Sequence, residues 1–471
     1  MSEETIIQQM ADFALNTRWE DLPPSIVQET KMVLMDAAGC ALVASRTDKG
    51  KINLSLAKRF GGTPEASVIG GGKVALPTAT QTNGELMYTP DYISMIASGN
   101  EPSYVLPAIL AAAENAGASG RELILSTAIG LEISTRLARA TLRQIIDPSE
   151  VKPKPVSHQL KRHGNAYSNF GAAAGAGRLL GLDRAKLAHA LGIAGHLTIV
   201  MTHGRYGSAG QRWTLKYGAP GFQSSAALTA VLYAQMGYTG DLNQLDDAEN
   251  GFWYFTGYLD WYPKHITEDL GKNWLYTYRM QYKPYPCCSV WHNLLDCFYQ
   301  IIEENKLSPE EIESVKAYAM VPMDHPLYGN PALNEIADAQ FNARYMFAAA
   351  AHRIKIGIDW LDPQTMKNPS ILRFMDKVTW EEYHTPSSRN PSVVPARIEV
   401  LARGQKFSLE KDHPHGRVGT ESAMTQDELL SKFRHNALGV LAPSRIEKAA
   451  RKFINLENLD NVQLLMAELT A

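Results

Sequence analysis

The sequence predicts a mainly α protein. A large all-helical domain is expected from residues 1–272 together with 410–471, and a smaller α+β domain, 273–409, is inserted before the C-terminal helices. Three observations predict this. Apolar residues recur at helical spacing from the N-terminus to about residue 270. Period-two alternation replaces that spacing after Pro286. Helix-start signals then return beyond residue 420. A chain of 471 residues is also more than one ordinary core accommodates, which favours two units.

The first apolar stripe is Ile6, Ile7, Met10, Phe13 and Ala14. A second helix is expected after Pro23-Pro24, opened by a Ser25/Gln28 capping box and running to Ala44. Ser119 and Glu122 form another box, opening a helix through about Leu137. Residues 171–180 and 219–236 are rich in Ala and Gly, a composition that lets helix backbones approach closely. Gly204, Gly207 and Gly210 interrupt residues 203–210, which are expected to form a mobile loop.

After Pro286, residues 292–305 are expected as a helix. Ser308-Pro309-Glu310-Glu311 has the cap, first-turn proline and box glutamate of a further helix start. Val315, Ala317, Ala319 and Val321 alternate with Lys316, Tyr318 and Met320, as in a half-buried strand. Residues 337–353 are expected as one helix, and 396–409 as a hairpin turning near Arg403-Gly404. Thr425/Glu428 and Ser444/Glu447 are capping boxes, and their helices are expected to pack back on the first domain.

The composition, 45% hydrophobic and 20% charged, is that of an ordinary globular protein. A net charge of -3 argues against a nucleic-acid binder. No apolar run reaches the length of a membrane span. The acidic start, Met1-Ser2-Glu3-Glu4-Thr5, is unlike a signal peptide. Cys40, Cys287, Cys288 and Cys297 have no disulfide-framework spacing, so a reduced, cytoplasmic setting is expected.

Chemistry concentrates in Lys283-Pro284-Tyr285-Pro286-Cys287-Cys288-Ser289-Val290-Trp291-His292, a lysine, two thiols and a histidine where the architecture changes. Lys283 can hold a carboxylate as a point charge. The two cysteines read as buried structural thiols ahead of nucleophiles. His292 reads equally as a base or as a core histidine. Lys216, before Tyr217-Gly218-Ala219-Pro220-Gly221, is either a solvated lysine or, beside a helix start, part of an anion site. His163 follows a basic stretch with Lys152, Lys154, His158, Lys161 and Arg162, which would draw anions if it borders a pocket. Asp91 and Glu101, ten residues apart, are an acid–base pair or two exposed loop acids. No metal-ligand spacing and no nucleotide-binding glycine motif appears.

Several of these pieces, taken in order, resemble the MmgE/PrpD family of 2-methylcitrate dehydratases, cis-aconitate decarboxylases and an iminodisuccinate epimerase. They are Leu34-Met35-Asp36-Ala37-Ala38-Gly39, then Asn83-Gly84 through Asp91, then Leu106-Pro107-Ala108 through Glu114. Gly171 through Leu182, Gly237-Tyr238-Thr239-Gly240, Lys283 through Cys288 with His292, and Ala337 through Tyr345 continue the series almost to the end of the chain. The family has histidine where Tyr88 stands, aspartates at Ile93 and Ser94, and the histidine of an "HP" step at Glu101.

The resemblance implies a pocket between a helical domain and an α+β lid, with no cofactor and no metal. It implies catalytic roles for Asp91, Glu101, His163, Lys216 and Lys283, with His163 one residue from the expected position. Tyr88, Arg205, Arg212, Cys287 and His292 are expected to bind substrate. The implied activity is a cofactor-independent lyase, a hydro-lyase that removes a proton next to a carboxylate of a small hydroxy di- or tricarboxylate. Glu101 motivates an isomerase of a small dicarboxylate or imino acid as the alternative, and the departures from pattern motivate a non-catalytic carboxylate-binding homologue. The expected partners are the small anionic substrate and a second copy of the chain in a homodimer, with no nucleic acid and no membrane.

Overall fold

The computed structural model describes residues 4–96, 99–141, 165–200, 206, 213–216, 218–258, 260–384 and 394–470. The N-terminal part is built from α1 (Ile6–Asn16), α2 (Pro24–Ala44), α3 (Asp48–Phe60), α4 (Leu76–Tyr88), α5 (Glu101–Ala116) and α6 (Gly120–Ala140). It continues through α7 (Ser168–Leu179), α8 (Arg184–His196) and α9 (Pro220–Gln235). The region is not purely helical. Ala66–Ser67 (β1) and Lys73–Val74 (β2) form a short antiparallel pair that the helical pattern had hidden. Thr5 and Gln8 close a full capping box on α1. The Ser25/Gln28 box does not form: α2 already begins at Pro24, with Pro23 as its cap and Ser25 inside its first turn, and a first-turn proline needs no N–H partner. Among the described residues no helix is long and apolar enough to cross a membrane.

The second unit contains α10 (His292–Glu304), β3 (Ile312–Ala319), α11 (Ile336–Phe341), α12 (Ala343–Ala351), α13 (Pro369–Met375), β4 (Val378–Glu382), β5 (Ala396–Ala402) and β6 (Gln405–Lys411). The sheet order is β4-β3-β5-β6. β3 pairs parallel with β4 (Val315 opposite Val378) and antiparallel with β5, and β5 pairs antiparallel with β6. The parallel β3–β4 connection carries α11 to α13, as a crossover must carry a long segment. The hairpin turns at Arg403 (φ 54°) and Gly404 (φ 68°), the left-handed pair a two-residue loop requires.

Two expectations fail here for local reasons, and one strand was missed. Ser308 to Glu311 forms only a turn, because β3 starts at Ile312; Glu311 accepts from the Ser308 N–H and pairs with Arg403. The helix expected over 337–353 is two helices, broken at Asn342, whose extended backbone lets its side chain cap α12 at the Tyr345 N–H. β4 carried no clear alternation and was not expected.

The last helices are α14 (Gln426–Ala437), α15 (Pro443–Ile454) and α16 (Gln463–Leu469). Thr425/Glu428 makes both bonds of its box. Ser444/Glu447 does not, because α15 starts at Pro443 and Glu447 pairs instead with Arg434 of α14. α14 lies on α2 and buries Leu429, Leu430, Phe433 and Ala437. Burying a side chain such as Leu or Phe contributes roughly 1.5–3 kcal/mol. One hydrophobic core therefore joins residues between Ile6 and Tyr282 to residues between Leu429 and Leu469. A second runs from Tyr285 to Ala402. Lys283 lies between the two.

Candidate active site

Two glycines bring the first wall of the site together. A Cβ on Gly84 of α4 would sit 2.6 Å from the Gly221 Cα, and one on Gly221 of α9 would sit 1.9 Å from the Gln81 carbonyl oxygen. Only glycine allows this crossing, and it places the end of α4 beside the segment leading into α9. Asp91 follows α4 in a left-handed conformation (φ 50°), which Asp tolerates better than most residues.

The Asp91 carboxylate is shared by two lysines from distant parts of the chain. Lys216 Nζ donates to Oδ1 at 2.9 Å, and Lys283 Nζ donates to Oδ2 at 3.2 Å. Lys283 also donates to the Asp91 carbonyl at 3.1 Å and to the Cys287 carbonyl at 3.3 Å. All three charged side chains are buried. Burial alone would raise the Asp91 carboxyl, but Lys216 and Lys283 outweigh it and hold the group well below the usual carboxylate range. Burial pushes the Lys216 ammonium down to about 8 against the pull of Asp91, and Lys283 and Lys49 add to that push.

Aromatic rings line the same space. Lys216 Nζ is 4.5 Å from the Tyr88 ring centroid and 5.6 Å from that of Phe341. Lys49, paired with Glu85 at 3.3 Å, lies 5.9 Å from the Tyr88 ring. The hydroxyls of Tyr88 and Tyr104 gather at Gly218, where a Cβ would lie 3.0 Å and 2.0 Å from them. From the α+β unit, Gln340 Nε2 donates to the Thr89 carbonyl at 2.8 Å, tying α11 to the end of α4. The ring of Tyr206 meets that of Phe341 edge-on at 5.8 Å.

Glu101 belongs to a neighbouring cluster. It is the first residue of α5, where the helix dipole favours a carboxylate, and it accepts a hydrogen bond from the Tyr167 hydroxyl. Its carboxylate and the Asn165 amide both crowd the Gly99 Cα. Asp91 and Glu101 are thus buried, not exposed loop acids, and Lys216 is a buried ion-pair partner, not a solvated side chain.

The Cys–Cys–His segment is arranged differently. His292 is buried at the start of α10, and its Nε2 lies 3.2 Å from the Cys287 carbonyl. Burial, with Lys283 adding to it, pushes the His292 imidazolium down to about 3, so the ring is neutral at physiological pH. Burial raises both the Cys287 and Cys288 thiols. It is the Cys287 carbonyl, not its sulfur, that Lys283 and His292 share. All four cysteines are free thiols.

The structure therefore brings Tyr88, Asp91, Lys216 and Lys283 together, holds Glu101 in a separate pair with Tyr167, and joins Cys287 and His292 to Lys283 through the Cys287 carbonyl. His163, Arg205 and Arg212 lie outside the described residues, as do the 203–210 loop apart from Tyr206 and the basic stretch before His163. Sequence reasoning missed Tyr104, Tyr167, Gln340, Phe341 and Lys49. Gln340 and Phe341 stood inside the Ala337-to-Tyr345 block, but nothing in their own identity marked them. Among the described residues no group of His, Cys, Asp and Glu could hold a metal ion.

Residues 8–260 match the MmgE/PrpD N-terminal domain, and residues 285–457 match the MmgE/PrpD C-terminal domain. The chain belongs to the MmgE/PrpD family. Curated relatives in this family include the human cis-aconitate decarboxylase, 24% identical over 94% of this chain and 90% of the relative. The cis-aconitate decarboxylase of Aspergillus terreus is 23% identical over 98% of this chain and 95% of its own length. A cis-aconitate decarboxylase-like protein, oryM, of Aspergillus oryzae is 23% identical over 99% and 97%. The gap between the two matched domains, residues 261–284, contains Lys283.

Proposed function

We propose that this chain is a cofactor-independent lyase that breaks a bond at the carbon next to a carboxylate of a small di- or tricarboxylate. The observation that supports this best is the buried cluster of Asp91 with Lys216 and Lys283. Two ammonium groups gathered on the Asp91 carboxylate concentrate positive charge at one buried point, which draws a substrate carboxylate. Asp91, held far below the usual carboxylate range, is a weak base, and its part is to orient the two lysines. Lys216 titrates near 8, close to ambient pH, which suits a group that delivers or accepts a proton.

The names of the relatives favour loss of carbon dioxide. In that step the bond to the leaving carboxylate breaks, and its electron pair moves into the conjugated system toward the carboxylate held by the lysines. Carbon dioxide departs, and a proton closes the carbon. Removal of water from a hydroxy acid uses the same clamp: the carbon-bound proton goes to a base, and the hydroxyl leaves as water. In both cases the lysines stabilise the charge that develops.

Glu101 favours a second reading, an epimerase of a small dicarboxylate or imino acid. A buried carboxylate hydrogen-bonded to the Tyr167 phenol is a second proton-carrying pair. Proton NMR in deuterated water separates the readings, with cis-aconitate, citrate, 2-methylcitrate, malate and an aspartate-derived imino acid as substrates. A new vinyl signal is the expected result. Deuterium uptake without an alkene means epimerisation, and no change over hours with any substrate sinks both enzyme readings in favour of a carboxylate-binding role.

We also propose that the chain forms a homodimer through the outer face of α9. Phe222, Tyr233 and Met236 are exposed along one side of this helix, with Tyr238 just beyond it. A monomer by light scattering at micromolar concentration would refute this.

A further inference from the structure

Behind the Asp91 cluster lies a second buried polar network, centred on Lys432 of α14. Its ammonium meets Asp36 Oδ1 at 2.7 Å, the Tyr92 carbonyl at 2.6 Å and the Lys283 carbonyl at 2.9 Å. It also lies 3.8 Å from the centroid of the Tyr92 ring. Two of its N–H donors go to the backbone carbonyls, and the contact with Asp36 is an ion pair. Asp36 of α2 turns its other oxygen to the Ser94 N–H at 2.8 Å. The Tyr92 hydroxyl donates to the Pro284 carbonyl at 3.1 Å.

A buried lysine needs one counter-ion, and Asp36 supplies it. The other two contacts go beyond neutralisation. They fall on the backbone of the residue after Asp91 and on the backbone of Lys283 itself, and Asp91 and Lys283 are 192 residues apart in sequence. Both must be held closely. Asp91 sits in a sparsely populated backbone region that persists only where the surroundings over-determine it. Lys283 falls in the chain between Tyr282 of one hydrophobic core and Tyr285 of the other, where the backbone passes from the first core to the second.

We propose that Lys432 is a positioning residue. From the C-terminal helix it pins the Asp91 and Lys283 segments against each other and so sets the geometry of the carboxylate clamp. The inference deepens the lyase reading, but its test needs no substrate. Deleting the charge of Lys432 alone would strand Asp36, and loss of stability in that variant would report only the stranded charge. The informative variant is the double substitution Lys432→Met with Asp36→Asn, which removes both charges. Lys432→Arg keeps the charge but cannot match three converging acceptors with a flat fork.

Competitive acetylation with acetic anhydride across pH 7–10, read lysine by lysine by mass spectrometry, is the experiment. In the double variant Lys216 and Lys283 are expected to react about tenfold faster, because their amines are no longer held against the Asp91 carboxylate. Lys31 and Lys49, buried lysines paired with Glu457 and Glu85, are expected to keep their wild-type rates. In Lys432→Arg a smaller rise confined to Lys283 and Lys216 is expected. Unchanged rates at Lys216 and Lys283 would overturn the proposal, and so would a uniform rise at all four lysines, which would report general loosening. Failure of the wild type to turn over any carboxylate would sink the lyase reading and leave this labelling result standing.

Discussion

Two stretches that meet at the junction of the cores carry reactive side chains and treat them in opposite ways. At Asp91, Lys216 and Lys283, burial comes with charged partners, and the groups stay ionised. At Cys287, Cys288 and His292, burial outweighs the nearby charges that would favour ionisation, Lys283 for the thiols and Asp91 for the ring, and the thiols and the imidazole stay neutral. The sequence alone reads the two cysteines as buried thiols ahead of nucleophiles but leaves His292, Asp91 and Lys216 open between a site and a structural or solvated role. The lesson is that residue type sets which chemistry is available, while the partner found on burial sets whether it is expressed.

The strongest test of this contrast is Asp91→Asn. It leaves two buried ammonium groups facing each other without their shared counter-charge. Breaking such a buried pair costs roughly 3–5 kcal/mol, so a large fall in the denaturant midpoint is expected together with loss of turnover. The acid side follows from the same cluster. Because the folded-state Asp91 pKa is depressed, its contribution is present above the ordinary value of 3.8 and is lost as pH falls below that value. Wild type should therefore lose stability in acid more steeply than Asp91→Asn. Equal slopes would show that the lysines do not hold Asp91 as the distances indicate.

A smaller effect sharpens the role of Lys216. Lys216→Met should lower turnover by roughly 10²–10⁴-fold, the range for losing a proton-transfer group. In wild type, activity should fall as pH rises through about 8, where the ammonium loses its proton. Stability should move the other way. The folded-state pKa lies below the ordinary 10.5, so between about 8 and 10.5 the unfolded chain binds more protons and stability rises with pH. Opposed trends in one pH window, both absent in Lys216→Met, would identify this lysine. A pH–activity profile unchanged by the substitution would remove it from the chemistry.

The same contrast explains what the sequence made legible. Apolar periodicity located the long helices because it is repeated along each one, and the Arg403-Gly404 turn was legible because few residues accept two left-handed positions. Capping boxes were less reliable: Thr425/Glu428 formed, whereas Ser444/Glu447 lost its glutamate to Arg434, a residue on another helix. In the site, Lys283 and Asp91 stood in recognisable motifs. Lys432 stood in none. Nothing in its helix distinguishes it from a surface lysine, and only the meeting of α2, α14 and two loops makes it a buried one.

The smallest expected effects lie on the neutral side of the comparison. Cys287→Ala should cost about 1 kcal/mol in stability, as small deletions in a core do, and leave turnover within about threefold. The part of Cys287 that Lys283 and His292 use is its carbonyl, which the substitution keeps. The thiol, raised by burial, should also resist iodoacetamide in the folded protein. His292→Gln should leave the pH–activity profile superimposable on that of wild type between about pH 5 and 8, since a ring that titrates near 3 adds no limb in the range where an ordinary histidine would. Rapid alkylation of Cys287 with loss of activity, or a limb near pH 6.5 that vanishes with His292, would mean that this stretch carries the chemistry after all and that the two regions had been assigned the wrong way round.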